Sequence, residues 1–251
     1  MPQLIKLNKV AHKNLRVITG YSARFGDNST TAMLVPTEFA RAQREYPIFF
    51  RKDPGSGEYM AMALLGLQKD ENLFLEEGGP RMGWQADYVP GVVARGPFFI
   101  GFEQRETEGK IENVAVIHVD LEHPRISRTE GELLFQPDGN NTRFLDQVAD
   151  LLNVMHQGLL LAKPMYEAFS AADLFTPVQL EIKASADEQY NLTGMYTLSM
   201  EKLAALEGDT LQRMHRSGYL QAAYLVAASA GNVQRLIDIK ARRRRQTAMA
   251  S

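Results

Sequence analysis

Cysteine is absent from the 251 residues. Disulfides, a thiolate nucleophile, a cysteine-held iron–sulfur cluster and a cysteine zinc site are therefore excluded. A long apolar run is also missing. Every hydrophobic stretch is broken by Gly, Pro or charge before membrane-spanning length, so no transmembrane segment is expected. The start, Met1-Pro2-Gln3-Leu4-Ile5-Lys6, has no basic stretch leading into an apolar core and does not read as a secretory signal. A cytoplasmic location is the expectation. Excess charge is small: 28 Lys and Arg face 30 Asp and Glu, a net charge of -2, so bulk electrostatics give no case for a nucleic-acid partner. There is no His-Glu-x-x-His, no Gly-x-Ser-x-Gly elbow and no glycine-rich strand-to-helix phosphate signature.

What is present suits a self-sufficient fold. Apolar residues make up 45% of the chain, and at this length a core can form without disulfides or structural metal. The apolar run Thr31–Val35 predicts a strand, followed by a short helix capped by Thr37 and stopped by Pro47, with Ile48–Phe50 opening the next strand. Further strands are expected over Tyr59–Leu67, Asn72–Leu75 and Phe98–Phe102. Asn113–Leu121, rich in Val and Ile, reads as a central strand covered on both faces.

After Pro137-Asp138-Gly139-Asn140 the period changes. Leu145, Val148, Leu152, Met155 and Leu159 recur at helical spacing, with Asn141 as cap and Pro164 as a kink or a break between two helices. Val178, Leu180, Ile182 and Ala184 alternate with polar residues as a half-buried strand, and Leu192–Leu198 is its neighbour. The last fifty residues read as helices. The expected class is α+β: a mixed, largely antiparallel sheet, a long central helix and a C-terminal helical segment in one domain. Any subdivision would fall near residue 138.

Four groups of residues could carry chemistry. His118 and Asp120 lie two apart on a strand and share a face; with His123 they could form a facial triad for non-haem iron, while a hydrogen-bonded strand end is the plainer alternative. Gly78-Gly79-Pro80-Arg81 could hold an anion through backbone N–H groups and Arg81, although Pro80 lacks the donor such a nest needs. Trp84, Tyr88, Phe98, Phe99 and Phe102 could line an apolar groove for a peptide or planar ligand, or simply fill a core. Lys240 and Arg242-Arg243-Arg244-Arg245 place five cations at a helix end, where an exposed, frayed, solubilising tail is the expected form.

Several segments, in order, resemble the SapC family, an S-layer-associated group. They are His12–Val17, Pro36–Phe50, Tyr88-Val89-Pro90, Gly96-Pro97-Phe98, Glu130–Phe135, Leu192-Thr193-Gly194-Met195-Tyr196 and Met214–Leu220. The chain departs from the family's pattern at Leu133, where a Pro is usual. The resemblance implies an association with bacterial surface layers, and a peptide-transporter permease label that the hydropathy contradicts. It also implies genomic neighbours such as TonB-dependent receptors, flavin-dependent halogenase-like proteins and cupin-like oxygenases. It brings no catalytic residues. Two expectations follow. One is a non-catalytic binding or accessory protein without cofactor, working beside an uptake or processing system for a small molecule or peptide. The other is a metal-dependent, iron-using oxygenase centred on His118 and Asp120.

Overall fold

The computed structural model describes residues 3–76, 80–107, 110–183 and 189–250. Eleven strands and eight α-helices alternate irregularly among these residues. The largest sheet has five strands: β3 (Thr31–Leu34), β4 (Ile48–Lys52), β5 (Tyr59–Leu64), β10 (Phe175–Lys183) and β11 (Gln189–Leu198), in the order β10-β11-β4-β5-β3. A second sheet sets β1 (Leu4–Lys6) and β6 (Phe98–Thr107) on either side of β7 (Lys110–Asp120). A third joins three two-residue strands, β2 (Arg16–Val17), β8 (Ile126–Ser127) and β9 (Glu132–Leu133). Every pairing is antiparallel. The helices α1 (Phe39–Ala42), α2 (Pro80–Gly83) and α3 (Gly91–Ala94) are single turns. The long helix is α4 (Arg143–Ala171), and α5 (Met200–Ala204), α6 (Gly208–Arg216), α7 (Tyr219–Ala228) and α8 (Asn232–Ala250) complete the chain. The expected α+β class and its long helix are both present.

Side chains bury into two clusters, and α4 serves both. Leu145, Val148 and Leu152 in its first half pack with Phe98, Val119 and Leu134 in the smaller core. Met165 and Phe169 in its second half pack with Phe50, Leu34 and Ala61 in the larger one. At the standard rise its 29 residues reach about 43 Å, long enough to cross both. Thr142, not Asn141, caps it: the Thr142 hydroxyl accepts from the Leu145 amide at 3.3 Å. Pro164 neither ends nor divides the helix. Pro164 and Leu160 are both exposed, so water can serve the Leu160 carbonyl that loses its donor.

In the five-stranded sheet, antiparallel register puts Leu34, Ala61 and Phe50 in line on one face. All three are buried, and Tyr166 and Phe169 of α4 meet Phe50 edge-on at 5.2 and 6.5 Å between ring centroids. The β10–β11 hairpin needs a correction to stay in phase. Between Val178 and Leu180 the register slips by one residue, and Gly194, at φ 73°, takes the left-handed conformation of the bulge. This keeps Leu192 and Tyr190 on the same face as Met195.

Three expectations fail locally. Asn72–Leu75 is a turn with one bridge, Leu75 to Trp84, not a strand. The centre strand β7 buries only Val119 fully; Ile111 and Ala115 are exposed, because the hairpin β6–β7 extends past the helix that covers its base. The basic C-terminus is not frayed, since α8 continues to Ala250 and Arg243 docks on the carbonyls of Leu73 and Leu75.

The seat of α4 is a close approach. Gly158 faces Val35 and Thr37, and a β-carbon there would stand 2.6 Å from the Thr37 hydroxyl and closer still to Val35. Thr37 does not cap a helix; its hydroxyl donates to the Val154 carbonyl of α4 at 3.2 Å. A Gly to Ala change inside a helix ordinarily stabilises by about 1 kcal/mol. Gly158→Ala is expected to do the opposite and lower the urea midpoint, because the methyl must push α4 off the Val35 turn.

Candidate functional site

The Val35–Glu38 turn is built around a buried carboxylate. Pro36 starts a 3-10 turn (Pro36–Glu38), and Glu38, 3% exposed, folds back so that Oε2 accepts from the Val35 amide at 2.8 Å. Its Oε1 accepts from the Tyr88 hydroxyl at 2.6 Å and the Gly91 amide at 2.7 Å. Among the described residues, three donors and no ion-paired cation hold this carboxylate. Burial and the adjacent carboxylate push the Tyr88 hydroxyl far above the ordinary tyrosine range, so it remains a donor. Nearby, Glu45 accepts from the Asp87 amide and from Arg235 of α8. Asp27 forms a buried pair with Arg125, with oxygen–nitrogen distances of 2.8 and 2.7 Å.

Between α4 and the β3–β5–β4 side of the sheet lies a cavity of about 370 Å³. Leu34, Val35, Ala61 and Tyr166 are its buried lining, and Met33, Met60, Leu159 and Ala162 add partly exposed apolar walls. Its mouth is polar. Lys163 of α4 pairs with Glu58 across it at 3.0 Å, an exposed bridge that contributes little to stability. Lys52 sits 5.4 Å from the centre of the Tyr59 ring, which is itself stacked on Phe175. The turn that carries Ser56, Gly57 and Glu58 to the mouth is organised by Asp53. One Asp53 oxygen accepts from the Gly55 amide, the Ser56 amide and the Ser56 hydroxyl at 3.0, 2.7 and 2.9 Å. The Ser56 bonds hold the Asp53 carboxyl below the usual range. Burial pushes the Tyr166 hydroxyl far up, opposed by the nearby Ala61 backbone, although among the described residues no partner meets that hydroxyl with good hydrogen-bond geometry. The arrangement combines apolar depth with a charged lip.

The five aromatics expected to share a groove are dispersed, and none lines this cavity. Trp84 is fully buried in the larger core; its indole N–H donates to the Tyr46 hydroxyl at 2.8 Å, and that hydroxyl donates to the Tyr88 carbonyl. Tyr88 serves Glu38. Phe98 is buried in the smaller core. Phe99 lies under Arg95, whose guanidinium carbon is 3.8 Å from the ring centre. Phe102 is 49% exposed and packs against His156 of α4 at 4.7 Å. They diverge because successive β6 residues alternate faces and Trp84 precedes that strand by a separate turn. The Arg81 backbone falls in α2, but its side chain lies outside the described residues, as do Gly78 and Gly79.

His118, Asp120 and His123 are each engaged in the framework. The His118 ring lies on Gly101 of the neighbouring strand, where a β-carbon would be 2.6 Å from Nδ1. Asp120 accepts from the Glu122 amide at 3.1 Å, closing the turn before Pro124. His123 Nδ1 accepts from the Arg125 amide at 3.1 Å. Among the described residues no group of three or more His, Asp or Glu stands where it could hold a metal ion. The buried carboxylates Glu38 and Asp27, and the cavity itself, went unread in the sequence. Only the Pro before Thr37-Glu38 hinted at a turn that reaches back on itself.

The SapC family model matches residues 7–236. No curated protein and no solved structure matches the chain. No described helix is long and apolar enough to cross a membrane.

Burial, then the nearby Arg125 charge, push His123 below its ordinary value of 6.5; Asp120 and Asp27 oppose this and Arg95 adds to it. The unfolded chain therefore takes up this proton first as pH falls. Stability should be intact above about pH 6.5 and decline below it, by at most about 1.4 kcal/mol per pH unit from this group. His123→Asn keeps an acceptor for the Arg125 amide. Urea unfolding between pH 7 and pH 5 should show a shallower decline for that variant than for the parent.

Proposed function

The chain belongs to the SapC family, and we propose that it acts as a non-catalytic binding or accessory protein for a small molecule or peptide. The observation that carries this reading is the cavity between α4 and the five-stranded sheet. Its volume of about 370 Å³ falls within the usual range for small-ligand sites, and apolar walls with a few placed polar groups are the usual chemistry of such sites. An apolar side chain or ring would enter between Leu159, Ala162 and Ala61. A polar or zwitterionic head would remain at the mouth, among Lys52, Glu58, Lys163 and Glu167. These four charges sum to zero, which favours a neutral or zwitterionic head over a strongly charged one. A role beside a surface-layer, uptake or peptide-processing system follows from the family resemblance, and a receptor or halogenase-like protein encoded nearby would be the natural partner to assay.

The reading is tested by filling the cavity. Ala162→Phe places a ring in the space while leaving the buried Ala61 and Tyr166 in place. Titration with an apolar fluorescent probe such as anilinonaphthalene sulfonate, followed by an N-terminally blocked hydrophobic dipeptide as competitor, should give saturable binding to the parent. Binding should fall at least tenfold in Ala162→Phe, with an unchanged circular dichroism spectrum. Equal probe binding by the two proteins would remove the cavity as the site.

A further inference from the structure

We infer that the cleft between α8 and the 71–75 segment is a second binding site, one that recognises a phosphate group. The cleft encloses about 410 Å³ and is walled by Lys240, Arg243, Arg244 and Thr247, with Glu71 and Leu73 opposite. Its distinctive member is Arg243. This side chain is half-buried, and one of its nitrogens donates to the carbonyls of Leu73, at 3.0 Å, and Leu75. No carboxylate pairs with it among the described residues, and its remaining N–H groups have no partner there. Partial burial works against the Arg243 charge, while Glu76 and Glu71 support it at longer range and Arg242 opposes it.

Of the two carboxylates that act on Arg243, Glu76 acts more strongly but forms no ion pair with it among the described residues, and Glu71 is already engaged. Glu71 accepts from the Leu67 amide at 2.9 Å and pairs with Lys240. The cleft is therefore left with a fixed, partly desolvated guanidinium whose free edge has no anion. A planar fork of this kind suits the oxygens of a phosphate, which it can bind through two parallel hydrogen bonds. Arg244 and Arg245, both exposed, extend the positive field along the same helix.

The plainer account is that cations near a helix C-terminus answer the macrodipole. Arg244 and Arg245 are exposed but stand before the last turn of α8, which holds no basic residue, so the dipole acts on them only weakly. The dipole gives no reason for Arg243 to fold inward against two carbonyls without a carboxylate. The cations of the cleft lie beyond residue 236, where the family match ends, while Glu71 and Leu73 opposite lie within it. The cleft shares no residue with the apolar cavity, so either proposal can fail alone.

Calorimetric titration of the full chain with inorganic pyrophosphate is the first arm of the test. Co-sedimentation with phosphatidylglycerol vesicles, against phosphatidylcholine vesicles, is the second. Saturable binding in either arm, weakened at least tenfold by Arg243→Gln and by Arg244→Gln, is the expected result. Pyrophosphate binding alone would identify a free phosphate ligand, and binding to anionic vesicles alone a lipid headgroup; both support the site. Because Arg243 also braces the 71–75 segment, circular dichroism must show Arg243→Gln folded, and if it is not, Arg244→Gln decides. No binding in either arm, or binding that survives in the folded variants, overturns the proposal.

Discussion

Everything near the apolar cavity depends on one buried carboxylate. Glu38 sits at the exit of β3, out of water, and its charge is balanced by three hydrogen bonds in place of a cation. Those donors come from its own turn and from Tyr88 and Gly91 at the entry to α3, so one side chain ties together two segments that the sequence places some fifty residues apart. Leaving such a group short of a donor costs about 1–3 kcal/mol, which makes the arrangement nearly all-or-none. The turn it closes presents Val35 and Thr37 to Gly158, and this contact sets how closely α4 approaches the sheet. The gap left farther along α4, where the helix passes the β4–β5 turn, is the cavity. The binding reading thus rests on the same residues that hold the fold.

The two cores have different demands, and α4 reconciles them. Its first half covers the small three-stranded sheet with Leu and Val, and its second half meets the five-stranded sheet with Met, Tyr and Phe. A rigid rod shared by two clusters transmits any displacement at its centre to both. Gly158 lies at that centre, beside the point where helix and turn come closest. At the opposite side of the molecule, α8 is tied down through Arg235 to Glu45, Lys240 to Glu71 and Arg243 to two carbonyls. That helix is an integral part of the framework, and its basic end is held in one place.

Much of the fold was legible in the sequence because it rests on period. The helical spacing from Leu145 onward, the alternation in Val178–Ile182 and the strands around Pro36 and Pro47 all follow from which side chains must leave water. The failures have specific causes. Asn141 and Thr142 are both good caps, and only the Leu145 amide chooses between them. Asn72–Leu75 is apolar because it lies under α8, not because it is extended. The candidate site was largely illegible. Trp84, Tyr88, Phe98, Phe99 and Phe102 are close in sequence, but alternation on β6 and the separate turn at Trp84 send them to different surroundings. The cavity residues come from β3, β5 and α4, more than a hundred positions apart, and none of them carries a motif. Nothing in a single sequence tells the buried Glu38 or Arg125 from a solvated charge.

The Glu38–Tyr88 hydrogen bond organises the junction from which α4 and the cavity are built. Urea unfolding of the double-mutant cycle formed by Glu38→Gln and Tyr88→Phe tests this role most directly. Glu38→Gln alone should lower stability by about 1–3 kcal/mol, because its one NH2 group must face the N–H donor of either Val35 or Gly91 while its carbonyl serves the other. Tyr88→Phe should cost clearly less in the Glu38→Gln background than in the parent. An unchanged midpoint for Glu38→Gln, or strictly additive effects of the two changes, would contradict that role.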